Sequence, residues 1–234
     1  MRADHCRRAG ATLIELLAAL TLLSLIVVVV TGMCVAQLRL ARAAGVRAAA
    51  ADAARTATMV LAGEARRMTA GDVRAASADS IAIRAFRGTA LTCGSAPGGV
   101  FVRYAGDRLP DPAKDSIIVA SAGVQQVIPL LGSTPAHGAC TAIAGEAVLE
   151  WRLATVPSDT AVLLVFESGA YHLSGRALRY RIGAAGRQPL TAELLSDAGS
   201  GFGAVTGRGF TFALDVAGRT IDRAVFFANG EDAR

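Results

Sequence analysis

One carboxylate, Glu15, stands alone in a stretch that is otherwise almost free of charge. Between Arg8 and Arg39 the only other ionisable side chain is the thiol of Cys34. A carboxylate in that setting has two possible uses. It can pair with a cation presented by another chain, an attraction that is strong where water is excluded, or it can reach the headgroup layer from the first turn of a simple anchor. Position alone leaves both open. The other reactive groups are Cys6, Cys34, Cys93 and Cys140 and two histidines well along the chain, His137 and His172.

Most other polar patterns fail on spacing. Gly199-x-Gly201-x-x-Ala204 fits a dinucleotide fingerprint formally, but it has no strand before it and no helix after it to aim at a pyrophosphate, so it reads as a loop. Asp107, Asp111 and Asp115 recur every four residues around two prolines without the alternation of a calcium loop, and read as solvated loop acids. Ser174-Gly175 is a turn and not a nucleophile elbow. Nothing promotes Glu146, Glu150 or Glu167 to acid–base work, and Trp151 reads as core. The expectation is therefore a chain with no catalytic residues, no metal and no cofactor.

The element that positions Glu15 is the apolar run over residues 16–36. A hydrocarbon layer is crossed by roughly 20 apolar helical residues, which places a membrane span at about 14–36. A charge inside such a span costs about 2.5–3.5 kcal/mol on insertion scales and is normally paired or functional. Beyond the span, Val46, Ala50, Ala53, Ala57, Val60 and Leu61 recur at three- and four-residue spacing. No proline interrupts residues 11–70, so one helix of roughly 55 residues is expected, about 80 Å long at 1.5 Å per residue. Gly32 and Gly45 each cost up to about 1 kcal/mol there and mark places for unwinding or a break. Met59 and Met68 are expected to pack on a helix face. Gly71-Asp72 ends the helix.

The remainder reads as β-rich. Strands are expected at 80–86, 100–104, 116–120, 147–153, 161–167, 170–173, 177–182, 210–216 and 221–227. Loops or turns are expected at 94–99, 106–112, 135–145, 168–169, 174–175, 199–203 and 217–218, with a short helix at 190–195.

The run Gly10-Ala11-Thr12-Leu13-Ile14-Glu15-Leu16-Leu17 behind a short basic leader resembles the cleavage and assembly signal of type IV prepilins and type II secretion pseudopilins. That resemblance implies cleavage between Gly10 and Ala11 by a prepilin peptidase, N-methylation of Ala11, and a filament-assembly role for Glu15, whose carboxylate would meet the amine of a neighbouring subunit. The family usually carries Phe where this chain has Ala11. The segment from Tyr171 to Arg181, with Gln188-Pro189-Leu190 and Leu194-Leu195, looks like the large J-type or W-type minor pilins. The implied organisation is a leader over 1–10, an N-terminal helix over 11–70 and a periplasmic β-rich domain over 71–234. Its fold class is α+β and pilin-like, a long helix packed on a mainly antiparallel β domain. The implied function is that of a minor pseudopilin or minor pilin at a filament tip; a major pilin or a DNA-uptake minor pilin are the alternatives. The implied partners are other pilin-type subunits, the peptidase, an inner-membrane assembly platform and the lipid bilayer. The chain would lie in the inner membrane as a single span, N-terminus cytoplasmic and C-terminal domain periplasmic, before entering a filament.

Composition agrees with one domain plus one span. Of 234 residues, 53% are hydrophobic and 18% charged. The net charge of +5 comes almost wholly from arginines scattered along the chain, Lys114 being the only lysine, without the basic runs of a nucleic-acid groove. A secretory signal would put a small-residue cleavage site after the apolar run, where this chain has Thr31-Gly32-Met33-Cys34. Cys6 falls in the leader and Cys34 in the span, which leaves Cys93 and Cys140 in the exported part, where oxidation is allowed, as the expected disulfide. No CxxC or His pair near either favours zinc.

Overall fold

The structure, a computed structural model, describes residues 12–121, 124–141, 143–155 and 161–228. Gly10 and Ala11, the expected cleavage and methylation positions, and Cys6 lie outside them. The chain forms two compact units, one up to residue 48 and one from Ala49 onward.

A single α-helix, α1, runs Leu13–Ala65. It starts on a capping box: the Thr12 backbone N–H donates to Glu15 Oε2 at 2.9 Å and the Glu15 N–H to Thr12 Oγ1 at 3.4 Å, which satisfies two of the N–H groups a helix start leaves orphaned. The helix continues through both Gly32 and Gly45, against the expectation of unwinding or a break. Ala and Arg flank Gly45, and their propensities cover a local cost of about 1 kcal/mol. Gly32 sits among Val27–Val30, Thr31 and Val35, weaker helix formers, and there the cooperativity of a long helix carries it across. In the first unit every large apolar side chain over residues 13–35 is at least 41% exposed.

The second unit is α+β. Its helical part buries Ala50, Ala53, Ala54, Ala57, Leu61 and Ala65, a stripe at i, i+3 and i+4 whose alanines let strands approach the helix closely. The helix stops five residues before the expected end, and a 3-10 turn at Ala70–Asp72 follows. Met68 is buried, whereas Met59 is 60% exposed.

Twelve strands follow: β1 Val73–Ala76, β2 Ser80–Ala96, β3 Gly99–Gly106, β4 Asp115–Ser121, β5 Val124–Pro135, β6 Ala147–Leu153, β7 Val162–Ser174, β8 Ala177–Ile182, β9 Gln188–Pro189, β10 Leu195–Thr206, β11 Gly209–Val216 and β12 Arg219–Phe226. Nine form one sheet ordered β1-β2-β3-β6-β5-β4-β7-β8-β9, and the further pairing of β2 with β7 closes six of them into an antiparallel barrel. The last three form a separate antiparallel sheet.

Two apolar clusters result. Ala90, Val102, Ile117, Ile128, Leu149, Trp151, Leu163 and Val165 belong to the one that fills the barrel. The other joins α1 to Ile81, Ile83 and Ala85 of β2, Tyr171 and Leu173 of β7, Leu178 of β8 and Phe202, Phe210 and Phe212 of the three-stranded sheet.

Several strand boundaries differ from the expectation. β7 passes straight through Ser168-Gly169, expected as a turn: a Cβ on Gly169 would lie 2.0 Å from the Tyr180 hydroxyl oxygen, so glycine is there to admit a cross-strand aromatic ring. The expected loop over 199–203 lies inside β10, where Gly199 and Gly203 admit Asp215 and Thr211 from β11. The expected loop over 94–99 is a two-residue turn at Pro97-Gly98 between long strands. The expected helix over 190–195 is irregular, bent chain that leads into β10. β1, β5, β9 and β10 have no counterpart among the expected strands; β5 carries Pro129, Gly132 and Pro135, which hide its strand character.

Candidate functional site

Two places gather the residues singled out above. The first is the start of α1, where Glu15 is exposed and engaged with Thr12 alone among the described residues. The T-x-x-E spacing of Thr12 and Glu15 is itself a capping-box signal in the sequence.

The second lies where the two apolar clusters meet, and strand geometry dictates it. On β7, one face carries Leu163 and Val165 into the barrel and Tyr171 and Leu173 into the helix-facing cluster. Glu167 has the same parity and falls between them. On β2 the register slips between Phe86 and Gly88, so Arg87 is the extra residue of a β-bulge. Ile81, Ile83 and Ala85 face the helix before the bulge and Ala90 faces the barrel after it. The bulge thus reverses the inward parity of the strand and aims Arg87 at the boundary.

A polar layer assembles around these two residues. Arg87 reaches Glu64 of α1 at 3.3 Å and Glu167 at 3.2 Å. Arg108 grips Asp115 with both Nη atoms, at 2.6 and 2.7 Å, and reaches Glu167 Oε2 at 2.8 Å. The Tyr180 hydroxyl donates to Glu167 at 2.7 Å, and that of Tyr171 to Glu64 at 3.0 Å. Tyr104 Oη lies 3.0 Å from the Arg87 carbonyl and 2.8 Å from that of Arg108. Glu167 and Asp115 are 3% exposed, so their charges stand only because they are paired.

The electrostatics follow the contacts. Burial pushes the Glu167 carboxyl up, but the Tyr180 hydroxyl, Arg87 and Arg108 outweigh it and hold the group below the usual carboxylate range. Burial and the Asp115 charge push the Tyr104 phenol up to about 12. Tyr171 and Tyr180 are also raised, by burial first and then by the carboxylates they contact. Every group in the layer saturates its neighbours, and the arrangement ties the helix to the barrel.

The three aspartates do not converge. Asp107 pairs with Arg67 and Asp111 with Lys114, while Asp115 is buried on Arg108, not solvated as expected. Among the described residues no three His, Cys, Asp or Glu side chains come together as metal ligands. Cys93 and Cys140 form a disulfide with Cα atoms 6.1 Å apart. Cys93 is itself a bulged residue, between Thr92 and Gly94 in the pairing of β2 with β3. Cys34 is free and exposed. His137 is exposed, whereas His172 is buried within β7. Trp151 is fully buried in the barrel. Glu167 was passed over in the sequence, although its place on the inward parity of an apolar strand is a signal that could have found it.

Scans against protein-family models, curated proteins and solved structures find no match to this chain.

Proposed function

We propose that this chain is a prepilin-type filament subunit, a minor pseudopilin or minor pilin at the tip of a type II secretion pseudopilus or type IV pilus. The carrying observation is the exposed apolar stretch of α1 over residues 13–35, whose single carboxylate, Glu15, stands at its start four residues after Ala11. A helix of that length and composition suits one membrane crossing. On this reading the peptidase cuts between Gly10 and Ala11 and methylates Ala11. The helix then waits in the inner membrane with its N-terminus cytoplasmic, and Glu15 recruits the amine of a neighbouring subunit. The β-rich unit caps the growing fibre. A helix packed on antiparallel strands supports the pilin-like architecture; the closed six-stranded barrel is a departure from the plainer β domain expected.

The capping box favours a second reading, in which Glu15 only starts the helix of an anchor. Glu15→Gln separates the two, because glutamine also serves at that position of a capping box but carries no charge. Glu15→Gln and Glu15→Leu are both expected to insert in the membrane and to be lost from sheared filament fractions. Incorporation of Glu15→Gln at the parental level, with Glu15→Leu excluded, would leave the carboxylate as a cap and refute the assembly role. Mass spectrometry of the N-terminus in cells with and without the peptidase tests the cut; Met1 retained in both refutes the family reading.

A further inference from the structure

Five buried side-chain nitrogens find no hydrogen-bond partner among the described residues, and three of them sit on two neighbouring side chains: Nδ1 and Nε2 of His172 and Nε of Arg181. Buried polar atoms are nearly always paired, so three on one spot call for a reason. His172 is 4% exposed and pairs across β7 with Ser80 of β2 and Arg179 of β8. Its flanking residues Tyr171 and Leu173 fill the helix-facing cluster, so the imidazole points to the opposite face of the sheet. Arg181 pairs with Ala170 and is the diagonal neighbour of His172 on that face. Arg187, from the segment after β8, joins them: its Nη1 donates to Ser174 Oγ at 3.4 Å, and its charge acts on His172.

The cations here are unevenly neutralised. Arg84 has Asp72 at 3.3 Å and Arg179 has Glu193 at 2.5 Å. Among the described residues no carboxylate lies within ion-pair distance of Arg181 or Arg187. The acid that acts on His172 is Asp79, whose Oδ1 already accepts the Ser77 hydroxyl at 2.6 Å. Burial, Arg187 and Arg181 together hold the imidazole below its ordinary range, with Asp79 opposing them.

The geometry points to an oxyanion-binding site on the outer face of β7 and β8, in which Arg181 and Arg187 grip a phosphate group and His172 donates from beneath. Two planar forks and a third N–H suit the several oxygens of a phosphate better than the two of a carboxylate. The group can be free phosphate or the headgroup of an anionic lipid, and the chemistry of recognition is the same.

The test uses the full chain in phosphatidylcholine nanodiscs, titrated with inorganic phosphate at ionic strength matched by chloride. The readout is the ring-nitrogen NMR signals of the three histidines, with His172 assigned by its loss in His172→Gln. Phosphate is expected to shift the His172 signals saturably and to raise their titration midpoint, because a bound anion favours the imidazolium. Arg181→Gln and Arg187→Gln should each weaken the phosphate response by about tenfold or more, while the remote Arg55→Gln should leave it unchanged. Arg187 is exposed, so its variant reads binding without loss of the fold. A His172 shift in phosphatidylglycerol nanodiscs without added phosphate assigns the headgroup; its absence, with phosphate still binding, assigns the free anion. Phosphate that moves no His172 signal, or moves it equally in the Arg181→Gln, Arg187→Gln double variant, overturns the site.

Discussion

Glu167→Gln tests whether the polar layer holds the second unit together. Glutamine keeps the length of the side chain and one acceptor oxygen but removes the charge shared among Arg87 at 3.2 Å, Arg108 at 2.8 Å and Tyr180 at 2.7 Å. Hydrogen bonds to charged groups contribute about 1.5–3 kcal/mol each, and breaking a buried ion pair costs about 3–5 kcal/mol. The loss here is partial, since Arg87 keeps Glu64 and Arg108 keeps Asp115. We therefore expect a destabilisation of about 2–4 kcal/mol at neutral pH. Urea unfolding of the full chain in detergent reads it directly, because Trp151 is the only tryptophan and lies fully buried in the barrel. The pH dependence adds a signed check. The folded-state pKa of Glu167 is depressed, so its contribution is complete above the unfolded value of about 4.3 and is lost as pH falls through the folded value. Parent and variant should accordingly converge in acid. A deficit below about 0.5 kcal/mol at neutral pH, the scatter of an ordinary surface change, or one that persists unchanged in acid, refutes the reasoning.

Gly169→Ala should destabilise by about 1–3 kcal/mol, the range of overpacking, because its methyl would meet the Tyr180 ring and displace the hydroxyl from Glu167; combined with Tyr180→Leu in the same unfolding assay, much of that cost should vanish, and additive losses would refute the clash. Cys93→Ser opens a loop with a sequence separation of 47 and should cost about 4 kcal/mol in the chain-entropy relation. Thermal unfolding with and without reductant checks it: the parent should lose stability on reduction and the variant should not respond.

The parts of the fold that were legible are those whose pattern is local. The apolar runs ahead of Arg39 and over 116–120 declare themselves by composition, and the small-residue stripe over Ala50, Ala53 and Ala57 and the strands over 147–153 and 177–182 by period. Glu15 was visible for the same reason, as one charge in an uncharged stretch. What was lost depends on neighbours distant in sequence. Glycines 169, 199 and 203 look like turn residues until Tyr180, Asp215 and Thr211 are seen packed against them. The ion layer draws on positions 64, 87, 108, 115 and 167, and no window of sequence holds them together. Cys93 and Cys140 could be singled out because they alone of the four cysteines lie beyond the long apolar helix, and they form the disulfide.

The β2 bulge explains why the place of Arg87 could not have been read from alternation. Residues 80–86 and 88–90 each alternate cleanly, but with opposite parity, and a reader who extends the first pattern puts Gly88 and Ala90 on the wrong face. The pairing with β7 shows that the mismatch is resolved at one residue: Phe86 faces Phe166 and Gly88 faces Val165, with Arg87 unpaired between them. A one-residue slip exchanges every inward and outward side chain beyond it. Without the bulge, a strand that suits the helix-facing cluster would carry the outward side chains of residues 89 and 91 into the barrel. β7 serves both cores with one unbroken alternation, whereas the inward residues of β2 change parity between Ala85 and Ala90; that strand therefore needs an extra residue at the junction, and the charge on Arg87 requires the carboxylates that gather around it.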